Sequence, residues 1–204
     1  MVCRSLSHEK ALMALLLTGL ISVTACTPKS KNLVPDPAEN KAALERASLI
    51  PSMPPGSSVE VEALQRFTDF YSDYSPAVIR AGVRELYDEK AWFGDPFHVV
   101  EGIDDIAHYF VVMAEPVEQC SFSVDSIHRS EEDYFARWTM ELESSAAKGE
   151  LIRVIGLSHM RFNASGKIIF QQDYWDQSAL LDRLPVVGYW TRLVKNRIGK
   201  GLEL

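Results

Sequence analysis

From residue 57 onward, apolar positions recur first at helical spacing and then at every second residue. Ser57-Ser58-Val59-Glu60 has the spacing of a capping box, and Leu64, Phe67, Tyr71 and Tyr74 follow on one helical face. Ser75-Pro76 places a cap residue before a proline at the first helical position. It predicts a second helix with Ile79, Val83 and Leu86 on its apolar stripe. A short extended piece, Trp92 to Phe97, leads to Gly102 and a third helix that turns Ile103, Ile106, Phe110 and Met113 inward.

Beyond these helices the period changes to two. Tyr134, Ala136, Trp138, Met140 and Leu142 alternate with Phe135, Arg137, Thr139 and Glu141, the pattern of a half-buried strand. Gln119 to Arg129, Leu151 to Phe162 and Lys167 to Trp175 read as three more strands. Turns fall at 129–133, 147–149 and 163–166. Helices first and an antiparallel meander after them make an α+β pattern.

The first 25 residues follow other rules. Arg4 and Lys10 form a basic start, and the 13 residues from Ala11 to Val23 are apolar apart from Thr18, Gly19 and Ser22. That run suits a signal peptide and is too short for a hydrocarbon core of about 30 Å. It ends in Val23-Thr24-Ala25-Cys26, which resembles the lipobox of bacterial lipoproteins. The resemblance implies cleavage before Cys26 and acylation of that cysteine, with palmitate among the chains. With Thr27 rather than Asp after it, the expected location is the outer membrane, on its periplasmic face.

Residues 26–58 read as a tether, holding Pro28, Pro35, Pro37, Pro51, Pro54 and Pro55, six of the chain's ten prolines. Such a segment is extended and semi-rigid, with a reach of roughly 100 Å at about 3.3 Å per residue. A short helix around Ala42 to Ala47 is compatible with it. The globular domain is expected to span 59–204, with a helical tail over 178–204.

Charge and cysteine content narrow the function. Removing Arg4, Lys10 and Glu9 from 21 basic and 28 acidic residues leaves 19 and 27, a net charge of −8. This argues against nucleic acid, which calls for a basic footprint. With Cys3 removed and Cys26 acylated, Cys120 alone remains, so no internal disulfide supports the fold.

Three stretches carry a family resemblance: Leu86-Tyr-Asp-Glu-Lys-Ala-Trp-Phe-Gly-Asp-Pro96 with Gly102 after it, Val154-Ile-Gly-Leu-Ser-His-Met-Arg-Phe162, and Gly166-Lys-Ile-Ile-Phe-Gln-Gln-Asp-Tyr-Trp-Asp176. In this order and spacing, over about residues 60–190, the chain resembles the nuclear transport factor 2-like superfamily, in its SnoaL-like and ketosteroid-isomerase-like branch. The resemblance implies a cone: a curved antiparallel sheet packed on N-terminal helices around a central apolar pocket, plus a C-terminal helix. It also implies a small apolar ligand and allows a homodimer. Fold alone does not select among the superfamily's isomerases, cyclases, hydrolases and non-catalytic members.

The resemblance singles out particular residues. Asp95 falls where ketosteroid isomerases place a general base, although Asp-Pro is also ordinary turn chemistry. Ser158 stands where an acidic oxyanion partner is expected. The family tyrosine falls at Phe67, with Tyr71 one turn later, so steroid isomerisation is not expected. Asp173 resembles a catalytic Asp of limonene epoxide hydrolases, and Arg137 the arginine paired with it. Thr139, Asp95 and Phe93 replace the hydrolase Asp, Asn and Tyr, so that relay is incomplete. An alternative role for Arg137 is simply to neutralise a buried Asp173. Period two puts Asp173 and Trp175 on one face and Tyr174 and Asp176 on the other. Tyr71, Trp92, Ser158, His159 and Trp175 are the expected pocket-lining residues.

His98 and His108 lack metal-ligand spacing, and no cofactor motif is present, so neither metal nor cofactor is expected. Tyr189 to Lys200 is locally basic, with Arg192, Lys195, Arg197 and Lys200 and no acid. It reads as a helix closing the pocket or docked on the sheet, or else as a helix resting on anionic headgroups; the first reading is favoured. Two functions stay open: a lipid-anchored domain that binds a small apolar molecule without chemistry or serves as an interaction module, and a cofactor-independent acid–base enzyme using Asp95, Asp173 and Arg137. The incomplete relays favour binding.

Overall fold

A computed structural model describes residues 36–143, 151–183 and 187–201. The expected signal peptide, Cys26, the tether up to residue 35 and the turn at 147–149 lie outside the described residues. Helix α1 spans Pro37–Ser48, α2 Ser58–Ser72, α3 Pro76–Leu86 and α4 Ile103–Ala114. Strands are β1 Tyr87–Gly94, β2 Val99–Glu101, β3 Gln119–Ser130, β4 Asp133–Glu143, β5 Leu151–Phe162 and β6 Ile168–Trp175. Two helices follow, α5 Ser178–Leu181 and α6 Val187–Gly201.

The six strands form one curved sheet in the order β2-β1-β6-β5-β4-β3. All neighbours are antiparallel except β1 and β6, which run parallel because α4 and the β3–β5 meander intervene between them. Its inner face packs on α2, α3 and α4. The caps read from sequence are formed: Ser57 Oγ accepts from Glu60 N at 3.2 Å, and Ser75 Oγ accepts from Val78 N at 3.4 Å. Glu60 then ties α2 to the β3–β4 hairpin, accepting from Tyr134 Oη at 2.6 Å and Arg129 Nη1 at 2.8 Å.

The inner core is aromatic. Phe67, Phe70, Tyr71 and Phe110 from the helices meet Tyr87, Phe93, Tyr134 and Trp138 from the sheet, all buried. The alternation in β4 holds throughout, with Tyr134, Ala136, Trp138, Met140 and Leu142 all inward. Met113, expected inward, sits half-buried at the flank of α4, and Ala114 takes the core position.

Two segments depart from expectation. Residues 37–58 are not an extended tether. Pro37 sits in the first turn of α1 behind the Asp36 cap, and the small residues Ala43 and Ala47, one turn apart, let that helix lie close on the outer face of the sheet. They cover Trp92, Ile169 and Phe170, and Met53 beyond the helix is wholly buried in the inner core. The folded body thus begins about twenty residues before Val59: β6 is buried on both faces, and α1 covers Ile169 and Phe170 on the outer one. The second departure is α6. It neither closes the cone nor packs its apolar side on the sheet, because Tyr189, Trp190, Leu193, Val194 and Ile198 all stand exposed.

Candidate functional site

The site forms where β5 and β6 pair. Ser158 lies directly opposite Asp173, and both side chains point into the cone. Ser158 Oγ donates to Asp173 Oδ1 at 2.6 Å and accepts from Trp138 Nε1 at 2.9 Å. Trp138 reaches this position because Gly156 faces it across the β4–β5 ladder. A methyl group on Gly156 would come within 2.1 Å of the indole.

Period two places Gln171 on the same face as Asp173, and Gln171 Nε2 donates to Asp173 Oδ1 at 2.9 Å. The same amide joins a closed ring of hydrogen bonds. Gln171 Nε2 donates to Tyr71 Oη at 3.2 Å, Tyr71 Oη to Tyr87 Oη at 2.8 Å, and Tyr87 Oη to Gln171 Oε1 at 2.7 Å. Each hydroxyl gives one bond and takes one, so this buried polar cluster is satisfied and rigid.

Asp173 is the exception in chemical character. Burial pushes its pKa up to about 7, the Ser158 and Gln171 bonds pull against that rise, and the Asp95 charge adds to it. Oδ1 takes both donors, and Oδ2 takes no hydrogen bond from the described residues. Asp173 lines two spaces. On one side is a void of about 10 Å³ bounded by Phe67, Tyr71, Phe122, Val124, Trp138 and Ser158, room for about one water. On the other is an open groove of about 500 Å³, shared with Pro37, Asn40, Asp95, Pro96, Gln172, Tyr174 and Trp175. The expected central pocket is thus filled by side chains. Tyr71, Phe122 and Trp138 stack edge to face at 5.1–5.3 Å and plug the cone, leaving the groove at its mouth.

Asp95 also borders the groove, but its oxygens are committed. Oδ1 accepts from Phe97 N and His98 N, both at 2.8 Å, and Oδ2 from Tyr109 Oη at 2.9 Å. Burial raises its pKa while these three bonds oppose the rise. This is the geometry of a turn-organising carboxylate. Trp175 closes one side of the groove against Phe97, with rings 5.3 Å apart.

The remaining expected site residues lie elsewhere. The alternation that turns Trp138 inward turns Arg137 outward. There it pairs with Asp125, which a bulge in β3 presents on the outer face. No Arg137–Asp173 pair forms, so neither the relay nor the charge neutralisation expected of Arg137 is present. His159 is likewise on the outer face, stacked on Phe135 at 4.7 Å and bonded to Asp133 at 2.9 Å. Trp92 stacks on Phe170 at 5.0 Å beneath α1, away from the cone interior. Of the expected pocket residues, Tyr71, Ser158 and Trp175 join Asp173, while Trp92 and His159 do not. Gln171 and Tyr87 were not singled out, and Trp138 was read as an inward strand residue but not as a partner of Ser158. Period two could have flagged Gln171, but the role of Tyr87 depends on a long-range contact. No cluster suited to a metal ion occurs among the described residues.

With this geometry in view, the sequence profile of the SnoaL-like domain matches residues 60–171. The chain belongs to the SnoaL-like domain family. Solved structures agree on the fold. A Catenulispora acidiphila protein of ketosteroid-isomerase-like fold, solved with trimethylamine, is 15% identical over 61% of this chain and 94% of its own, with a TM-score of 0.52. A Jannaschia protein assigned as a SnoaL-like polyketide cyclase is 14% identical over 64% and 96%, at 0.55. A limonene-epoxide-hydrolase-like enzyme from M. tuberculosis is 12% identical over 74% and 100%, at 0.51. No curated protein matches the chain in sequence. The SnoaL-like domain here is therefore a cone filled by aromatic side chains, with the buried Asp173 lining a groove beside it.

Proposed function

We propose that this SnoaL-like domain binds a small, largely apolar molecule in the groove at the cone mouth and holds it through Asp173 without transforming it. The observation that carries this reading is the position of Asp173. Its carboxyl has one oxygen that takes both donors and one that takes none from the described residues, and the residue lines a groove large enough for a small ligand. Pro37, Pro96, Tyr174 and Trp175 supply apolar contact, and Asp173 supplies a donor when protonated or an acceptor when ionised.

A second reading, acid–base catalysis without a cofactor, draws on the pKa of about 7, which suits proton exchange at neutral pH. It ranks lower because Asp95 is saturated by three donors and Arg137 faces outward. Asp173 would have to act alone.

The test is native mass spectrometry of the protein from its host, with Asp173→Asn, Trp175→Ala and the outward-facing Arg137→Ala as variants. A retained molecule is expected in wild type and Arg137→Ala, and its loss in Trp175→Ala. Retention should vary across neutral pH in wild type and not in Asp173→Asn. Wild type free of any small molecule, or retention indifferent to Trp175 and to pH, would refute the proposal. Recovery of the molecule in altered form would favour the second reading.

The lipobox-like run at Val23–Cys26 supports the further proposal that the mature chain starts at an acylated Cys26 and is held at the outer membrane. Intact mass of the membrane-fraction protein tests it, through the expected acylated N-terminus.

A further inference from the structure

Helix α6 is held to the body by its polar side. At about 3.6 residues per turn, Gly188, Thr191, Arg192 and Lys195 form one stripe. All four meet Asp182, which follows α5. Thr191 Oγ1 donates to its carboxylate, Arg192 to its carbonyl, and Lys195 Nζ to Oδ2 at 2.6 Å. Gly188 lies so close to the Asp182 carbonyl that an added Cβ would come within 2.1 Å of its oxygen.

The same spacing shifted by two residues gives Trp190, Leu193, Val194 and Arg197, on the side opposite this clamp. Trp190 is 61% exposed and Val194 54%, and Tyr189 and Ile198 flank them at 58% and 60%. A helix docked on its own domain ordinarily buries the apolar stripe and leaves the polar one in water. Here the arrangement is reversed: the outward stripe leaves Trp190, Leu193 and Val194 exposed beside Arg197, the kind of apolar exposure that marks an interaction surface.

We propose that α6 lies in the plane of an anionic lipid surface, with its Trp190–Leu193–Val194 stripe in the headgroup boundary. Charge selects this occupant. Between Val187 and Gly201 there are four basic residues and no acid, in a chain of net charge −7; Arg192 and Lys195 are held by Asp182 on the clamp side, and Arg197 lies in the outward stripe. A second copy meeting this face across a two-fold axis would set Arg197 against the same positive charge. An anionic bilayer instead meets the apolar side chains with hydrocarbon and Arg197 with phosphate. No helix among the described residues is long and apolar enough to cross a membrane, and α6, at 15 residues, is suited to lie along one. The acidic body sets the orientation, because its charge is repelled from the surface that attracts α6. This inference is independent of the ligand at Asp173 and of acylation at Cys26.

The test uses the full chain carrying Cys26→Ser, so that no acyl chain contributes. It is mixed with vesicles of phosphatidylethanolamine with or without phosphatidylglycerol, both bearing brominated acyl chains. Quenching is assigned to Trp190 as the part lost in Trp190→Phe. Trp190 should be quenched on the anionic vesicles. The apparent affinity should fall about tenfold or more with Arg197→Glu, and comparably with Leu193→Ser plus Val194→Ser. These side chains are exposed, so the core is left intact. Absence of Trp190 quenching, equal quenching on vesicles lacking phosphatidylglycerol, or shielding of Trp190 by self-association in solution would each overturn the proposal.

Discussion

Replacing Asp173 with Asn isolates the free energy stored in one buried carboxyl. In the folded chain Asp173 holds its proton up to about pH 7, whereas the ordinary value is 3.8. The folded state therefore binds more protons than the unfolded state between those values, and stability falls as pH rises through that window. Below the window the carboxyl is neutral in both states and exacts nothing. Above it the full penalty is present, on the order of 4 kcal/mol for a difference of this size. Asparagine is close in shape to a protonated Asp, and its amide oxygen can accept the bonds from Ser158 and Gln171. The expected outcome is near-equal stability of the two proteins at about pH 4, an Asn advantage that grows with pH, and a plateau of several kcal/mol above about pH 7. Urea denaturation of both proteins across this range measures the difference, and contributions from all other groups cancel. A difference that stays constant with pH, or one in which Asp is favoured at alkaline pH, would refute the account of Asp173 as a desolvated carboxyl.

Gly156→Ala is expected to displace the Trp138 indole from its bond to Ser158 and to destabilise the fold by about 1–3 kcal/mol. A lowered denaturation midpoint together with altered tryptophan emission would report it. Glu60, held below its ordinary carboxylate range chiefly by the Tyr134 hydroxyl, stabilises the folded state above its ordinary value and loses that contribution as pH falls through the depressed one. Glu60→Gln should therefore cost about 1–2 kcal/mol near neutrality and progressively less in acid, as read from denaturation midpoints at each pH.

The order of elements, the caps at Ser57 and Ser75, and the alternation in β4 were legible in the sequence because each depends on neighbours a few residues away. The α+β class followed from that order, and the cone was what the resemblance carried by that order and three local stretches implied. The inward direction of Asp173 and Trp175 was likewise a matter of period two, and so was the outward direction of Arg137 once Trp138 is taken as buried. The expected pairing of Arg137 with Asp173 ignored that alternation. What only the tertiary structure decided are the long-range placements. Part of the proline-rich stretch became a helix across the back of β6, because Ile169 and Phe170 of that strand are exposed on the outer face unless something covers them. The cone interior was filled when Gly156 admitted an indole from the neighbouring strand, leaving the accessible space at the mouth. Asp173 became chemically distinct through burial among groups far apart along the chain, a property set by the desolvation of one carboxyl and not by any local pattern. Sequence periodicity reports which side of an element is apolar, and only the packed chain determines what that side meets.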